Sequence, residues 1–359
     1  MLSNNGKVIV FKSDRIGDLI NISSCLKIIK NNILNSHITL VCSKYNYQVA
    51  KNYKFIDKYI ILDDKNILMT ILFNFKFFFL TKYKYLFQFD GRVISYRISY
   101  FVRASIKSTI CFEKRKKVYN LTYNTSRPPK PLLYLFFDNY VFRNENYSNT
   151  ANAKSIVLYQ NLYFTILSNL KFVINSRRNI FPLDTDFKET FKSCYNTIIK
   201  KKYYLFHIDE RWNLFDNKIY KDVLFFLKKI SKNNKIVITT GIKSFIFLDV
   251  LEKTYNTYNF ENNKFVTIKP NKGYGETVIL KNMPLNLLAY FIKYSVKNFS
   301  AHSGPIITIG AAFDKETIDV IKKNKNNELD RWIPVVSNYK RINFENLNEN
   351  YLKNLTDLV

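Results

Sequence analysis

Short apolar runs recur along this chain, separated by stretches whose apolar residues return every three or four positions. Lys7–Phe11 (KVIVF) is a buried-strand run. Leu19, Ile22, Leu26 and Ile29 then mark one apolar helix face. Ile38–Cys42, Tyr59–Leu62, Tyr85–Phe89 and Ile106–Phe112 read as further strands. A Phe-rich helix precedes Tyr85, and another helix starts near Arg92. Strands alternating with helices predict βαβ units and a parallel sheet. From Lys114 to Pro131, with its runs EKRKK and RPPKP, the alternation stops, and a loop leaving the sheet is expected. Leu132–Leu170 reads as helical without a strand. Val173–Thr185 is polar, contains Pro182 and reads as an interdomain linker.

A second alternation follows. Tyr203–Ile208 is a strand, and Lys218–Lys232 is an amphipathic helix with Tyr220, Val223, Leu224, Leu227 and Ile230 on one side. Lys235–Thr239 is a strand ending at Thr240-Gly241. Phe265–Ile268, Val296–Ser300 and a last strand, Thr317–Ile321, come after it, with a helix over Leu285–Tyr294. His302-Ser303-Gly304-Pro305 leads into a helix of small residues that includes Gly310, Ala311 and Ala312. At 359 residues, two domains are the natural division. The expected class is α/β, with two Rossmann-like doubly wound domains over 1–175 and 176–345 and a helix or tail over 346–359.

Composition narrows the class of protein. Hydrophobic content of 47% with 23% charge is that of a globular chain. The abundance of Phe, Tyr, Lys and Asn is the bias an AT-rich coding sequence produces, so part of it is discounted. A net charge of +28 predicts an anionic partner, whether nucleic acid, a membrane surface or phosphorylated small molecules. Cys25, Cys42 and Cys111 lie in apolar runs, Cys194 stands apart, and no pair forms a CxxC motif. A reducing compartment is expected. The opening MLSNNGKVIVFKSDR has too short an apolar run for a signal peptide. Ile67–Leu80, about 14 residues, is shorter than the ~20 that a spanning helix needs, so a buried or interfacial helix is expected there.

Four places could carry chemistry. Lys12-Ser13-Asp14-Arg15-Ile16-Gly17-Asp18 joins a strand end to a helix start, where ligands of open α/β sheets bind. Gly17 permits close backbone approach. Asp18 falls in the first helical turn, as a simple cap or as a carboxylate placed to take a proton. Phe206-His207-Ile208-Asp209-Glu210-Arg211-Trp212 carries Arg211, a residue suited to bidentate phosphate binding or to an ordinary surface position beside Trp212. Thr239-Thr240-Gly241 ends a strand. In Ala301-His302-Ser303-Gly304-Pro305, glycine allows close approach and proline suits a first helical turn. With His37, His207 and His302 the only histidines, and no Cys or carboxylate cluster at ligand spacing, no metal or other cofactor is expected. There is no GxSxG and no Walker A loop.

The run VIVFKSDRIGDLINISSCLKIIK resembles the opening of the bacterial heptosyltransferases, glycosyltransferase family 9, whose loop has the form S-x-[IM]-G-D. Ser13, Ile16, Gly17 and Asp18 match, with Asp14 and Arg15 between Ser13 and Ile16. The Asp90-Gly91-Arg92 segment is similar to the family's next cleft edge, and Ser303-Gly304-Pro305 to its D-[ST]-G-P turn. The resemblance covers roughly 7–112 and 203–322. It implies a GT-B fold with two domains facing a central cleft, and an inverting, metal-independent transfer of heptose or a related sugar. Asp18 would be the base, and Lys12, Ser13, Arg15, Gly17, Asp90 and Arg92 would line the acceptor side. Arg211, Thr240, Gly241, His302, Ser303, Gly304 and Pro305 would hold the nucleotide-sugar. Two departures stand out: His302 occupies the place of an aspartate, and Glu210-Arg211 the place of a lysine.

The implied partners are a nucleotide-sugar donor and a lipid-linked or cell-surface glycan acceptor such as lipopolysaccharide. An anionic membrane surface would give the basic charge a use, placing the protein in the cytoplasm at the inner face of the inner membrane. Two other readings stand beside this one. One is a non-catalytic protein of the same fold with a degraded donor site. The other is a nucleic-acid-binding protein, against which the basic residues are spread along the whole chain rather than gathered in one motif.

Overall fold

A computed structural model of the chain describes residues 6–63, 65–118, 121–144, 158–209, 217–232, 234–241, 246–269, 276–321 and 332–343. The tail at 346–359 lies outside them. The chain divides into two compact units, Met1–Pro182 with Asp330–Val335, and Leu183–Leu329 with Val336–Val359.

The first unit contains strands β1 (Lys7–Phe11), β2 (His37–Ser43), β3 (Lys58–Leu62), β4 (Tyr83–Gln88), β5 (Ala104–Val118), β6 (Leu121–Arg127) and β7 (Asn139–Asn144). Its helices are α1 (Ile16–Asn21), α2 (Ser23–Asn32), α3 (Lys44–Ala50), α4 (Ile67–Phe73), α5 (Val93–Phe101), α6 (Lys130–Phe136) and α7 (Tyr159–Asn169). The sheet order is β3-β2-β1-β4-β5-β6, with β7 beside β5. β1 lies at its centre, parallel to β2 and β4. Val8, Ile9, Val10 and Phe11 are fully buried there, as the uninterrupted apolar run requires of a strand covered on both faces. Gly6 leads into it where a Cβ would meet Ile33 Cγ2 at 2.7 Å and the Leu34 carbonyl at 2.8 Å.

The helix expected after β1 is two helices. Ser23 Oγ donates to the Ile20 carbonyl at 2.6 Å, taking an acceptor near the end of α1. Three expectations are corrected. Lys114–Pro131 is not a loop, because β5 runs through EKRKK and pairs antiparallel with β6 from Phe112↔Arg127 to Val118↔Leu121. Its charge hid it, since a backbone ladder needs no apolar alternation. Leu132–Leu170 does contain a strand, β7, aligned parallel to β5. Ile67–Leu80 is not one helix but α4 followed by a π-helical turn over Lys76–Leu80.

The second unit contains β8 (Tyr203–Ile208), β9 (Lys235–Thr240), β10 (Asn256–Glu261), β11 (Lys264–Lys269), β12 (Thr277–Lys281), β13 (Asn298–Ser300), β14 (Thr317–Ile321) and β15 (Tyr339–Asn343). Its helices are α8 (Lys188–Cys194), α9 (Asn217–Ile230), α10 (Ile246–Thr254), α11 (Leu285–Tyr294) and α12 (Gly304–Ala312). The sheet order is β11-β10-β12-β9-β8-β13-β14-β15, parallel except for the β10–β11 pair. Thr317–Ile321 is therefore not the last strand, because β15 pairs with it from Thr317↔Tyr339 to Ile321↔Asn343. Tyr220, Phe226, Leu227 and Ile230 of α9 pack over Phe206, Ile238, Phe247 and Phe299 in one core. Gly310 lets α12 lie close to β14, where a Cβ would collide with Thr317 Oγ1.

Candidate active site

In each unit the first strand sits where the strand order reverses. β1 has β2 on one side and β4 on the other, and β8 has β9 and β13. Loops leaving the carboxyl ends of two such neighbours diverge and open a crevice. Each unit therefore carries its own half-site.

The half-site of the first unit forms where β1 and β4 end. Lys12 Nζ is buried and donates to Asp14 Oδ2 at 2.8 Å, the Phe89 carbonyl at 2.9 Å and Tyr163 Oη at 3.0 Å. Burial works against its charge, but Asp14, Tyr163 and Asp18 hold its pKa well above the ordinary range. Asp90 is fully buried. Its Oδ2 accepts from the Ser13 N–H at 3.0 Å, Ser13 Oγ at 2.7 Å and Ser95 Oγ at 2.7 Å, and its Oδ1 accepts from the Arg92 N–H at 2.9 Å. Arg92 Nη1 donates to the Ser13 carbonyl at 3.3 Å. Asp90 and Arg92 thus brace the β1 loop against the β4 loop.

Asp18 occupies the third position of α1, with Arg15 as N-cap and Gly17 between them at the second position. Burial raises its pKa, while Lys12, Arg15 and Arg143 pull the other way. The pull from Arg15 includes its backbone N–H, and no side-chain bond caps α1 at Arg15. Asp18 keeps a trace of exposure at 7%. Asp14 is pushed up to about 7 by burial against the pull of Lys12, with Asp18 and Asp90 adding to the rise. One buried ammonium thus faces two carboxylates whose pKa values both lie high, the setting in which a carboxylate exchanges protons near neutrality.

The half-site of the second unit lies at the ends of β9, β8 and β13. The Gly241 N–H donates to the Ile208 carbonyl at 3.0 Å, tying two strand ends together. Thr240 Oγ1 is buried with no hydrogen-bond partner among the described residues. Arg211 lies outside the described residues. His302 has left-handed backbone, φ 57°, which is uncommon for a residue with a side chain. It is held by Asp319 on β14, which accepts from the His302 N–H and meets Nδ1 at 2.6 Å. Tyr339 Oη donates to the same carboxylate at 2.7 Å. With Asp319 at Nδ1, Nε2 is the ring atom free to meet a ligand.

Ser303 caps α12 without a side-chain bond, and Pro305 sits in the first turn. The Ser303 N–H donates to Ser300 Oγ at 3.4 Å and Pro305 has none, so the Gly304 and Ile306 N–H groups are those left for an anion. A Cβ at Gly304 would meet nothing within 4 Å, so the turn is open on that side. Among the described residues no group of three His, Cys, Asp or Glu side chains is placed to hold a metal.

Every described residue expected at a site lies at one of these strand ends. Those of the first unit are Lys12, Ser13, Arg15, Gly17, Asp18, Asp90 and Arg92. Those of the second are Thr240, Gly241, His302, Ser303, Gly304 and Pro305. The residues that sequence reasoning missed are mostly partners reaching in from distant segments: Tyr163 on α7, Arg143 on β7, Asp319 on β14 and Tyr339 on β15. Asp14 was in view, but only its ion pair with buried Lys12 distinguishes it.

No family model matches the sequence. A search of curated proteins likewise finds no match. Solved structures do resemble it. A glycosyl transferase of family 9 from Veillonella parvula superposes with TM-score 0.68 at 12% identity, over 100% of this chain and 90% of that one. The chain has the GT-B fold. The Escherichia coli heptosyltransferase WaaC, solved with ADP, matches at TM-score 0.60 and 13% identity, over 98% of this chain and 99% of its own. A UDP-GlcNAc 2-epimerase from Methanocaldococcus jannaschii matches at 0.54 and 11%, over 98% and 92%. The GT-B fold therefore serves both sugar transfer and epimerisation of a nucleotide-sugar, and function has to be argued from the two half-sites.

Proposed function

We propose that the protein is an inverting, metal-independent glycosyltransferase, using a nucleotide-sugar donor and a lipid-linked or cell-surface glycan acceptor. The observation that carries this reading is Asp18, a buried carboxylate with raised pKa, fixed at the switch point of the first sheet beside the Lys12 ammonium. In this reading Asp18 takes the proton of an acceptor hydroxyl as that oxygen bonds to the anomeric carbon. The sugar–phosphate bond breaks on the opposite face, and the electron pair leaves with the nucleotide diphosphate. Developing charge there is met by the unpaired first-turn N–H groups of α12, by Arg211 and by the imidazolium form of His302, whose Nε2 then donates.

The heptosyltransferase solved with ADP supports an ADP-sugar, with heptose or a related sugar as the transferred group. A membrane-borne, phosphate-bearing acceptor gives the +28 charge a use and places the protein at the inner face of the inner membrane. No helix among the described residues is long and apolar enough to cross a membrane.

The test is a donor screen of ADP-, GDP-, UDP- and CMP-sugars, read as thermal shift and as release of the nucleotide diphosphate. Saturable binding with release that Asp18→Ala abolishes, while the fold survives, is the expected result. Full activity in Asp18→Ala would overturn the base. Absence of nucleotide binding would favour the non-catalytic reading, to which the His302 substitution points, and epimerisation without transfer would assign the other chemistry of the fold.

A further inference from the structure

One face of the first sheet is covered by α4, the π-helical turn, α5 and α6. Their inward residues, among them Phe78, Tyr96, Ile98, Leu133 and Phe137, share a core with Ile9, Phe11 and Leu86 of the sheet. α4 is nearly inside-out. Its buried residue is Thr70, while Leu68, Met69, Leu72 and Phe73 are 69%, 47%, 55% and 78% exposed. At 3.6 residues per turn those four cover an arc of about 140°. Phe75 and Leu80 extend the apolar surface through the π-helical turn. α6 repeats the pattern, burying Leu133 and exposing Tyr134 and Leu135. α5 joins the two, since Tyr100 stacks on Phe136 with ring centres 4.7 Å apart.

Scattered apolar side chains on a surface mean little, but a contiguous set on adjoining elements marks a surface that something covers. Charge decides what. Lys65, Lys76, Lys82, Arg97 and Arg103 are exposed on the same segments. From 65 to 107 the sequence holds one acidic residue, Asp90, and it is buried. Asp63, just before α4, is engaged with the Lys65 N–H at 3.0 Å. An apolar face ringed by cations, whose exposed acids Asp63 and Asp138 lie at its margins and accept from the Lys65 and Lys107 N–H groups, matches an anionic bilayer, whose interface takes up both.

We propose that this layer, α4 with the π-helical turn and α6, is a membrane-docking surface that inserts Leu68, Met69, Leu72 and Phe73 into the interface of an anionic phospholipid bilayer. It gives a site to the membrane attachment invoked above but does not require that the chain transfer sugar.

The experiment is vesicle flotation of the full chain, with phosphatidylglycerol/phosphatidylethanolamine vesicles against phosphatidylcholine alone. Flotation with the anionic vesicles, weakened by salt, is expected. Leu72→Ser with Phe73→Ser lowers vesicle affinity by about tenfold or more, as removal of two inserting side chains should. Lys76→Glu with Lys82→Glu lowers it as well. Leu72→Trp supplies a second readout, since its emission, taken as the difference from wild type, shifts to the blue on mixing with anionic vesicles. Wild type that does not float, a serine double variant that floats like wild type, or an unmoved difference emission in the Leu72→Trp variant each overturns the proposal. So does a dimer in sedimentation that the serine pair dissociates, because a second copy would then cover the face. None of these readouts involves sugar transfer, so a failure here leaves the glycosyltransferase reading untouched.

Discussion

The two half-sites occupy the same place in two similar sheets, yet they handle charge in opposite ways. In the first unit, buried Lys12 and Asp18 and partly exposed Asp14 are drawn together, and both carboxylates sit above their ordinary pKa. In the second, one buried carboxylate, Asp319, is consumed in aiming an imidazole and accepting from a tyrosine, and the turn beside it is left open. A base must take up a proton, which desolvated carboxylates in excess of cations favour. A phosphate cradle must offer donors without obstructing the ligand, which a neutralised anchor and free N–H groups provide.

The largest effect should come from the first half-site. Asp18→Asn keeps size and shape but cannot take a proton, and sugar transfer should fall roughly 10²–10⁴-fold with the melting temperature little changed. A smaller loss would leave Asp18 as no more than a first-turn acid at the start of α1. Lys12→Met leaves buried carboxylates without their cation, and urea unfolding should report a loss of about 3–5 kcal/mol.

In the second half-site, Asp319→Asn should weaken nucleotide diphosphate binding by calorimetry, consistent with about 1.5–3 kcal/mol for a bond to a charged group. Tyr339→Phe, which removes one neutral donor to the same carboxylate, should cost about 0.5–1.5 kcal/mol of stability. If the two variants behaved alike, the imidazole would not be what Asp319 serves.

The smallest effect is on pH dependence. Asp14 has an ordinary pKa of 3.8 and is raised to about 7 in the fold, so the folded state holds its proton longer. Its contribution to stability is full below about 3.8 and is lost as pH rises through about 7. Melting temperature should therefore decline between about pH 4 and pH 7, and Asp14→Asn should flatten that slope. Arg15→Ala should move the acidic limb of the transfer profile upward, since Arg15 helps hold Asp18 down.

Much of this molecule was legible without coordinates where one physical rule acted alone. The apolar runs of β1, β8 and β9 had to be buried, and the glycine- and proline-marked turn before α12 could be little else. Where two rules competed, legibility failed. β5 beyond Phe112 and β15 are too charged to read as strands, and both are held by backbone ladders. α4 obeys helical periodicity but points its apolar face outward.

The sequence by itself determined that Asp18 follows a buried strand in a first helical turn and that His302 precedes an open one, because local pattern and residue chemistry are local facts. Only the tertiary structure decided what those residues are. Burial beside Lys12 and Asp14 turns a first-turn acid into a candidate base, and Asp319 and Tyr339, reaching in from adjoining strands, fix the ring of a lone histidine in one orientation. Desolvation and charge pairing depend on neighbours distant in the chain, and no reading along the chain supplies them.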